Sequence, residues 1–454
     1  MKARNRLISR ISLLAMSLVL VVGLSAGSVL SAEKPYTGVT IRISADATPP
    51  TYAKQNLVGE FEKETGIKVV FDVLPYPSML EKQMAELVAH TGYYDIISHS
   101  SHLLGRFVEG GHFEDVNPYL DNPELKYPGF DIEEIVPNLR AQYNEWPHGS
   151  GRYYGLPWLS DAYILYYRKD LIEDPTEQAK FKAQYGYELS APETWDQMWD
   201  IAEFFTRDTD GDGLTDFYGY TAAGAAGNPG LNSFLQFYLA YGGTYYDEQM
   251  NPTWNSSAGE KALQFLKNFM KFMPLGVTGY GYGEVMTELL NGTTFAISNW
   301  SQFWPMCDDP TKSKVVGKVA FKAVPRGVAE RPHMGGWGVG IAKDSKNKEA
   351  AFLFLQWCDS VVTELKTVPE GASPTTFTAF MDPGLNAKFP ALRAIFDSIR
   401  VGRAHPNHPE SEETFRYGDT AVLKAMTGIL SPKEALDEWV EKERKMLERY
   451  GYYK

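Results

Sequence analysis

The chain has 454 residues, with 57 acidic against 44 basic and a formal net charge of −13 at pH 7. Its length provides two or three domains' worth of packed core. A composition of 44% hydrophobic and 22% charged residues is that of a soluble globular protein, not of a disordered or membrane-embedded one. The acidic balance argues against nucleic-acid binding, which needs a basic surface to neutralise phosphates, and suits neutral or cationic small ligands.

Residues 1–32 read as a secretory signal peptide. Lys2, Arg4, Arg6 and Arg10 form a basic start, an apolar run over 11–24 follows, and the small residues of SAGSVLSA place cleavage near Ser31 or Ala32. The apolar run is short for a membrane span, and no later stretch is longer. No cysteine lies near the cleavage point to carry a lipid. The expected product is therefore exported, soluble, periplasmic and not lipid-anchored. Cleavage also makes the chain more acidic, since four basic residues and no acid are lost.

Beyond the leader, VTIRISA reads as a strand and YAKQNLVGEFEKETG as a helix stopped by Gly66, a C-cap glycine. Strand IKVVFDVLP, helix SMLEKQMAELVAHTG, strand YYDIIS and helix HLLGRFVEGG follow. Alternation at this spacing predicts an open, mostly parallel sheet, which binds ligands beyond its strand C-termini. The loops over 46–52 and 98–102 lie there. A second unit opens at Tyr154, where GLPWLSDAYILYYRKDL reads as a buried strand passing from one lobe to another. Helix PETWDQMWDIAEFFT, helix SSAGEKALQFLKNFMKF and strand TTFAISNW come next. Another crossing, GGWGVGIA, leads to helix NKEAAFLFLQWCDS, and a final helix, PKEALDEWVEKERKMLERY, has Pro432 near its start. Without repeats, low-complexity segments or a long linker, two lobes joined by short strands suggest a hinged pair.

Between the PETWDQM helix and the next strand lies DTDGDGLTDFYG. Asp208, Asp210, Asp212, the Leu214 carbonyl and Asp216 offer five oxygens to a Ca2+ ion, and Gly213 allows the turn. The twelfth position is Gly219, where an EF-hand has a bidentate Glu, so a calcium sensor is not expected. A structural calcium brace and a solvated Asp/Gly turn remain as readings. No cofactor is required.

Catalytic signatures are missing: the chain has no G-x-S-x-G, H-E-x-x-H or P-loop. An exported carbohydrate-active enzyme stays as the rival reading, because chain spacing does not report the distance between two carboxylates across a sugar. His99 and His102 follow a strand and read as crevice-lining hydrogen bonders; as a metal pair they lack a third ligand. Trp158, Trp300, Trp304 and Trp337 each lie at a strand end, three of them beside Gly or Pro. Such rings suit the C–H face of a sugar, with Asp and Asn taking the hydroxyls, although each ring taken singly also fits a core. Cys307 and Cys358 are read either as one disulfide, which export permits, or as two buried thiols.

Five stretches in order carry a family resemblance: EFEKETGIKV, YYDII, GLPWLSDAYILYYRKDL, PETWDQM and, most specific, GGWGVGIAKDSKNKEAAFLFLQW. Over its whole mature length the chain resembles the extracellular solute-binding proteins of ABC importers, family 1, the maltose-binding-protein type. The resemblance implies an α/β, periplasmic-binding-protein-like two-lobe fold. Each lobe is a mixed, mostly parallel sheet flanked by helices, discontinuous in sequence and joined by hinge strands. It places residues 33–160 with 337–380 in the N-terminal lobe, and 161–336 with 381–454 in the C-terminal lobe. It also implies a monomer that closes like a Venus flytrap on a carbohydrate, a di- or oligosaccharide or glycoside, and delivers it to a transmembrane permease.

Carried over by position, Asp161 falls on a sugar-binding carboxylate and Trp300 close to a stacking aromatic, with Asn299 beside it. Trp337 falls on a glycine-flanked hinge aromatic, and Phe415, in EETFRYGDTAV, on a stacking aromatic of a late helix. His99 and His102 stand where the maltose binders carry an aromatic and an acid, so maltose itself is not expected. ASPTTFTAFMDP resembles a family P-x-R-x-S…D-P stretch without its arginine. A polyol or other polar solute is the alternative ligand within the same fold.

Overall fold

In the computed structural model, which describes residues 34–453, the first strand and helix alternation forms where its hydrophobic periods predict it. The expected signal peptide lies outside the described residues. β1 (Thr40–Asp46) buries Ile41, Ile43 and Ala45. It pairs in parallel with β2 (Lys68–Leu74) and β3 (Ile96–Ser100). The helix Pro49–Thr65 between β1 and β2 stops at Gly66, whose φ of 78° supplies the left-handed C-cap.

The crossing predicted as one strand is two. β4 (Leu156–Leu159) belongs to the first sheet and β5 (Tyr163–Arg168) to a second. Between them the backbone leaves one ladder before entering the other, so its polar groups need other partners. Gly335 N–H donates to the Asp161 carbonyl (3.1 Å) and Ser301 N–H to the Ala162 carbonyl (2.9 Å).

β6 (Ala296–Trp300) and β7 (Val319–Ala323) flank β5, both antiparallel to it. Single parallel bridges, Tyr218 to Thr294 and Thr221 to Ile297, extend that sheet. β8 (His333–Met334) leads through Gly335 and Gly336 into β9 (Trp337–Ile341). β9 returns to the first sheet antiparallel to β3 and β4, giving the order β2-β1-β3-β9-β4. β10 (Arg403–Ala404) pairs in parallel with β8. The architecture is α/β, with mixed sheets flanked by helices in two units.

Helices of the second unit are rich in aromatic residues. Helix Trp195–Phe205 starts with a Thr194/Gln197 capping box, and helix Pro432–Arg449 with a Ser431/Glu434 box and Pro432 in its first turn. Trp254 and Trp439 stack at 4.2 Å, and Trp254 Nε1 donates to the buried carboxylate of Glu443 (2.6 Å). The disulfide reading is corrected here: Cys307 and Cys358 are both free and buried. They lie on separate elements, Ser301–Asp308 and Lys348–Cys358, and burial pushes both thiols up, so they remain protonated packing groups.

Gly336 fits a tight passage. Its φ is 90°, and a Cβ there would lie 2.4 Å from Tyr143 Oη. Gly336→Ala is expected to lower folding stability by about 1–3 kcal/mol, since both the backbone and the tyrosine must shift. Chemical denaturation of the two proteins checks this.

Candidate functional site

A cavity of about 310 Å³ opens where β1, β3 and β6 end and the two crossings meet. The first unit contributes Asp46 at the end of β1, Tyr76 at the start of helix Tyr76–Val88, and Ser100 and His102 after β3. The crossings contribute Asp161, Gly336 and Trp337. The second unit adds Asn228, Asn232, Tyr282, Trp300 and Gln302, and the chain after β10 adds His405 and Phe415.

Two carboxylates face this space. Asp161 is 2% exposed. Its Oδ1 accepts from Ser301 Oγ (2.7 Å) and Gln302 N–H (3.1 Å), whereas no protein donor among the described residues reaches Oδ2. Burial pushes its carboxyl up to about 7 against these hydrogen bonds. Burial likewise raises Asp46, to about 6. Among the described residues no lysine or arginine lines the cavity.

Aromatic side chains make the walls. Tyr76 meets the Trp337 ring edge-on at 5.5 Å. Trp300 stands edge-on to Tyr163 at 4.5 Å and lies so close to Gly335 that a Cβ there would be 2.6 Å from its ring. Phe415 packs between His102 and His405, with ring centroids 4.6 and 4.9 Å away. Asn232 ties the floor together. Its Oδ1 lies 2.8 Å from His405 Nε2 and 3.1 Å from His333 Nε2, and its Nδ2 donates to Tyr282 Oη (2.6 Å). Burial depresses His333 to about 3 and His405 well below the usual imidazole range, so both are neutral at pH 7.

Two polar contacts join the units beside the cavity. His102 Nε2 lies 2.6 Å from Glu412 Oε1 on helix Ser411–Met426, and Tyr76 Oη donates to the same oxygen (3.3 Å). Burial alone would raise the Glu412 carboxyl, but the His102 partner holds it below the usual range.

Of the nine sequence-predicted ligand residues, His102, Asp161, Trp300, Trp337 and Phe415 meet in this cavity, and four do not. His99 is fully buried against Phe107 and Phe113, and burial lowers it to about 4. Trp158 is fully buried in the first unit, with Lys54 Nζ 4.5 Å over its ring and its Nε1 donating to Thr51 Oγ1 (2.9 Å). Asn299 spends its amide on the Trp300 N–H (2.8 Å) and the Tyr282 carbonyl (3.0 Å), so it positions two cavity rings without reaching the cavity. Trp304 packs on Phe389 (5.0 Å) and lines a different hollow with Pro305 and Gly371.

In the acidic loop, Asp208, Asp210 and Asp212 bring ligand oxygens within 4.8 Å of one another, all exposed. Asp216 turns away to Thr209, whose N–H and Oγ1 it accepts (2.8 and 2.6 Å). Among the described residues no metal-ligand cluster includes His99 or His102.

Sequence reasoning did not single out Tyr76, Asn228, Asn232, Tyr282, Gln302 or His405. Asp46 opens a loop recognised as lying beyond a strand end, which was its one signal. Tyr76, Asn232, Tyr282 and Gln302 start helices or sit inside them, Asn228 precedes one and His405 lies in the chain after β10, and none carries a local signature.

Residues 44–360 match the family model of the bacterial extracellular solute-binding proteins. A probable amino-acid ABC transporter periplasmic-binding protein of Sinorhizobium fredii is 23% identical over 431 residues, 93% of each chain. The mannitol-binding protein of Pseudomonas aeruginosa is 26% identical over 355 residues, 72% of this chain and 75% of its own. A solute-binding protein of Agrobacterium radiobacter, solved with ribitol, is 27% identical. It superposes with a TM-score of 0.77 over 90% of this chain and 99% of that one.

The raised Asp161 carboxyl makes a stability prediction. The folded state holds this proton more tightly than the unfolded chain, so its contribution is full below pH 3.8 and is lost as pH rises to about 7. The loss approaches about 1.4 kcal/mol per pH unit within that window. Asp161→Asn is expected to flatten this slope, measured as unfolding free energy against pH without ligand.

Proposed function

The chain belongs to the bacterial extracellular solute-binding protein family, and from that premise we propose that it binds a neutral polyhydroxylated solute, a sugar or sugar alcohol, and hands it to the permease of an ABC importer. The observation that carries the ligand class is the lining of the cavity. Two carboxylates and several amides face aromatic rings there, with no lysine or arginine. A carboxylate or phosphate on the ligand would meet Asp46 and Asp161 without a counter-charge, which a buried site penalises. Hydroxyl groups instead donate to those carboxylates, while Trp337, Trp300 and Phe415 cover C–H faces. The chemistry agrees with the mannitol and ribitol carried by two of the proteins to which this chain is similar.

The volume of about 310 Å³ is at the small end of the ~300–1,000 Å³ of small-molecule sites. That favours a single sugar ring or a linear alditol over the di- or oligosaccharide expected from the family resemblance. Ligand contacts come from both units and from the crossings, so the ligand stabilises the closed arrangement over an open one. The units that move are, in our reading, the lobes divided at 160/161, 336/337 and 380/381. His102, Tyr76 and Glu412 form their contact across the cleft. The family consists of binding proteins, so the solute leaves unchanged.

Titrating ribitol, mannitol and monosaccharides against intrinsic tryptophan fluorescence should give a saturable change with one of them and no product. A charged ligand binding in their place would sink this reading. Trp337→Ala should weaken binding by about tenfold or more, the scale of one lost aromatic contact, whereas Trp304→Phe should leave it unchanged. We read the acidic loop as a calcium brace held by Asp208, Asp210 and Asp212. A chelator should then lower the melting temperature of the wild type and not of Asp208→Ala.

A further inference from the structure

A second and larger cavity, about 640 Å³, lies beside the first and shares His405 with it. One wall is the helix Pro137–Tyr143, which packs on β4, and the loop that follows it. The other wall is Tyr245, Tyr246 and Met250 of the second unit, and the strip from Val401 to His408 runs between. Both units therefore contribute to it, as they do to the first cavity, but its chemistry is opposite.

Arg331 and Arg403 both line this space, and neither is among the salt-bridged arginines of the described residues. Arg403 places its guanidinium 5.5 Å from the Tyr245 ring centroid, and Arg331 reaches only the Gly243 carbonyl, at 3.5 Å. Both side chains line the same cavity as Tyr245. Two buried donors there lack an acceptor: Asn407 Nδ2 and Tyr245 Oη, in residues 6% and 3% exposed. Glu145 is the acid in the lining, and its carboxylate already accepts the Gly151 N–H (2.6 Å). In a chain of net charge −13, two unpaired guanidinium groups and two orphaned donors at one hollow form an acceptor-shaped gap.

We propose that this second cavity binds a small organic oxyanion. Its carboxylate or phosphate lies between Arg331 and Arg403 and accepts from Asn407, while Trp146 and Met250 cover its apolar part. An anion touching both walls favours the arrangement in which both cavities are enclosed. By linkage it raises the affinity of the first cavity for its solute. The anion site itself does not depend on which solute the first cavity takes.

Calorimetric titration of the full mature chain with inorganic phosphate and with benzoate tests it, the two probes separating phosphate from carboxylate recognition. Saturable binding of either one is expected, weakened about tenfold or more in Arg331→Gln/Arg403→Gln and in Asn407→Asp, and unchanged in Trp304→Phe, which lies outside both cavities. Asn407→Asp retains both arginines, so a double variant that fails to fold leaves the outcome readable. No saturable binding of either probe, or binding that survives Asn407→Asp or the loss of both arginines, overturns the proposal.

Discussion

The structure depends on Asp161. Its carbonyl accepts from Gly335 N–H and from Tyr143 Oη, and its carboxylate accepts from Ser301 and Gln302 just beyond β6. One residue thus joins both crossings between the sheets to the end of a third strand. A backbone that leaves one sheet before entering another strands its polar groups, and a buried chain cannot satisfy them with bulk water. Mutual satisfaction of two crossings is the economical solution. It also explains why one carboxylate oxygen remains free, facing the cavity that the crossings border.

Charge divides the two hollows that share His405. The first has carboxylates and, among the described residues, no lysine or arginine. The second has two arginines free of salt bridges, and its acid is already engaged. A neutral polyol fits the first and an oxyanion the second.

Local sequence carried the alternation of strands and helices, the Gly66 cap, the start of the last helix near Pro432 and the places where the chain changes sheets. These follow from short-range periodicity and from residues with narrow backbone preferences. Function was legible in part. Trp337 and Phe415 reach the cavity, but Trp158, in an equivalent setting beside Pro157, does not. Lys54 and Thr51 arrive from a distant helix and cover its ring. His99 and His102 are three residues apart, yet one enters an aromatic cluster and the other the cleft. β3 ends between them and the chain turns.

What the sequence by itself determined is the order of elements, the sites of crossing and the acidic, aromatic character of the molecule. Each depends on residues adjacent in the chain. Tertiary structure alone decided which rings face ligand and which face core, that the two cysteines stay apart, and that Asp46, Asn232, His405 and Phe415 share one space. The reason is distance along the chain: these residues are separated by tens to hundreds of positions, and only the packing of two units around Asp161 brings them within contact.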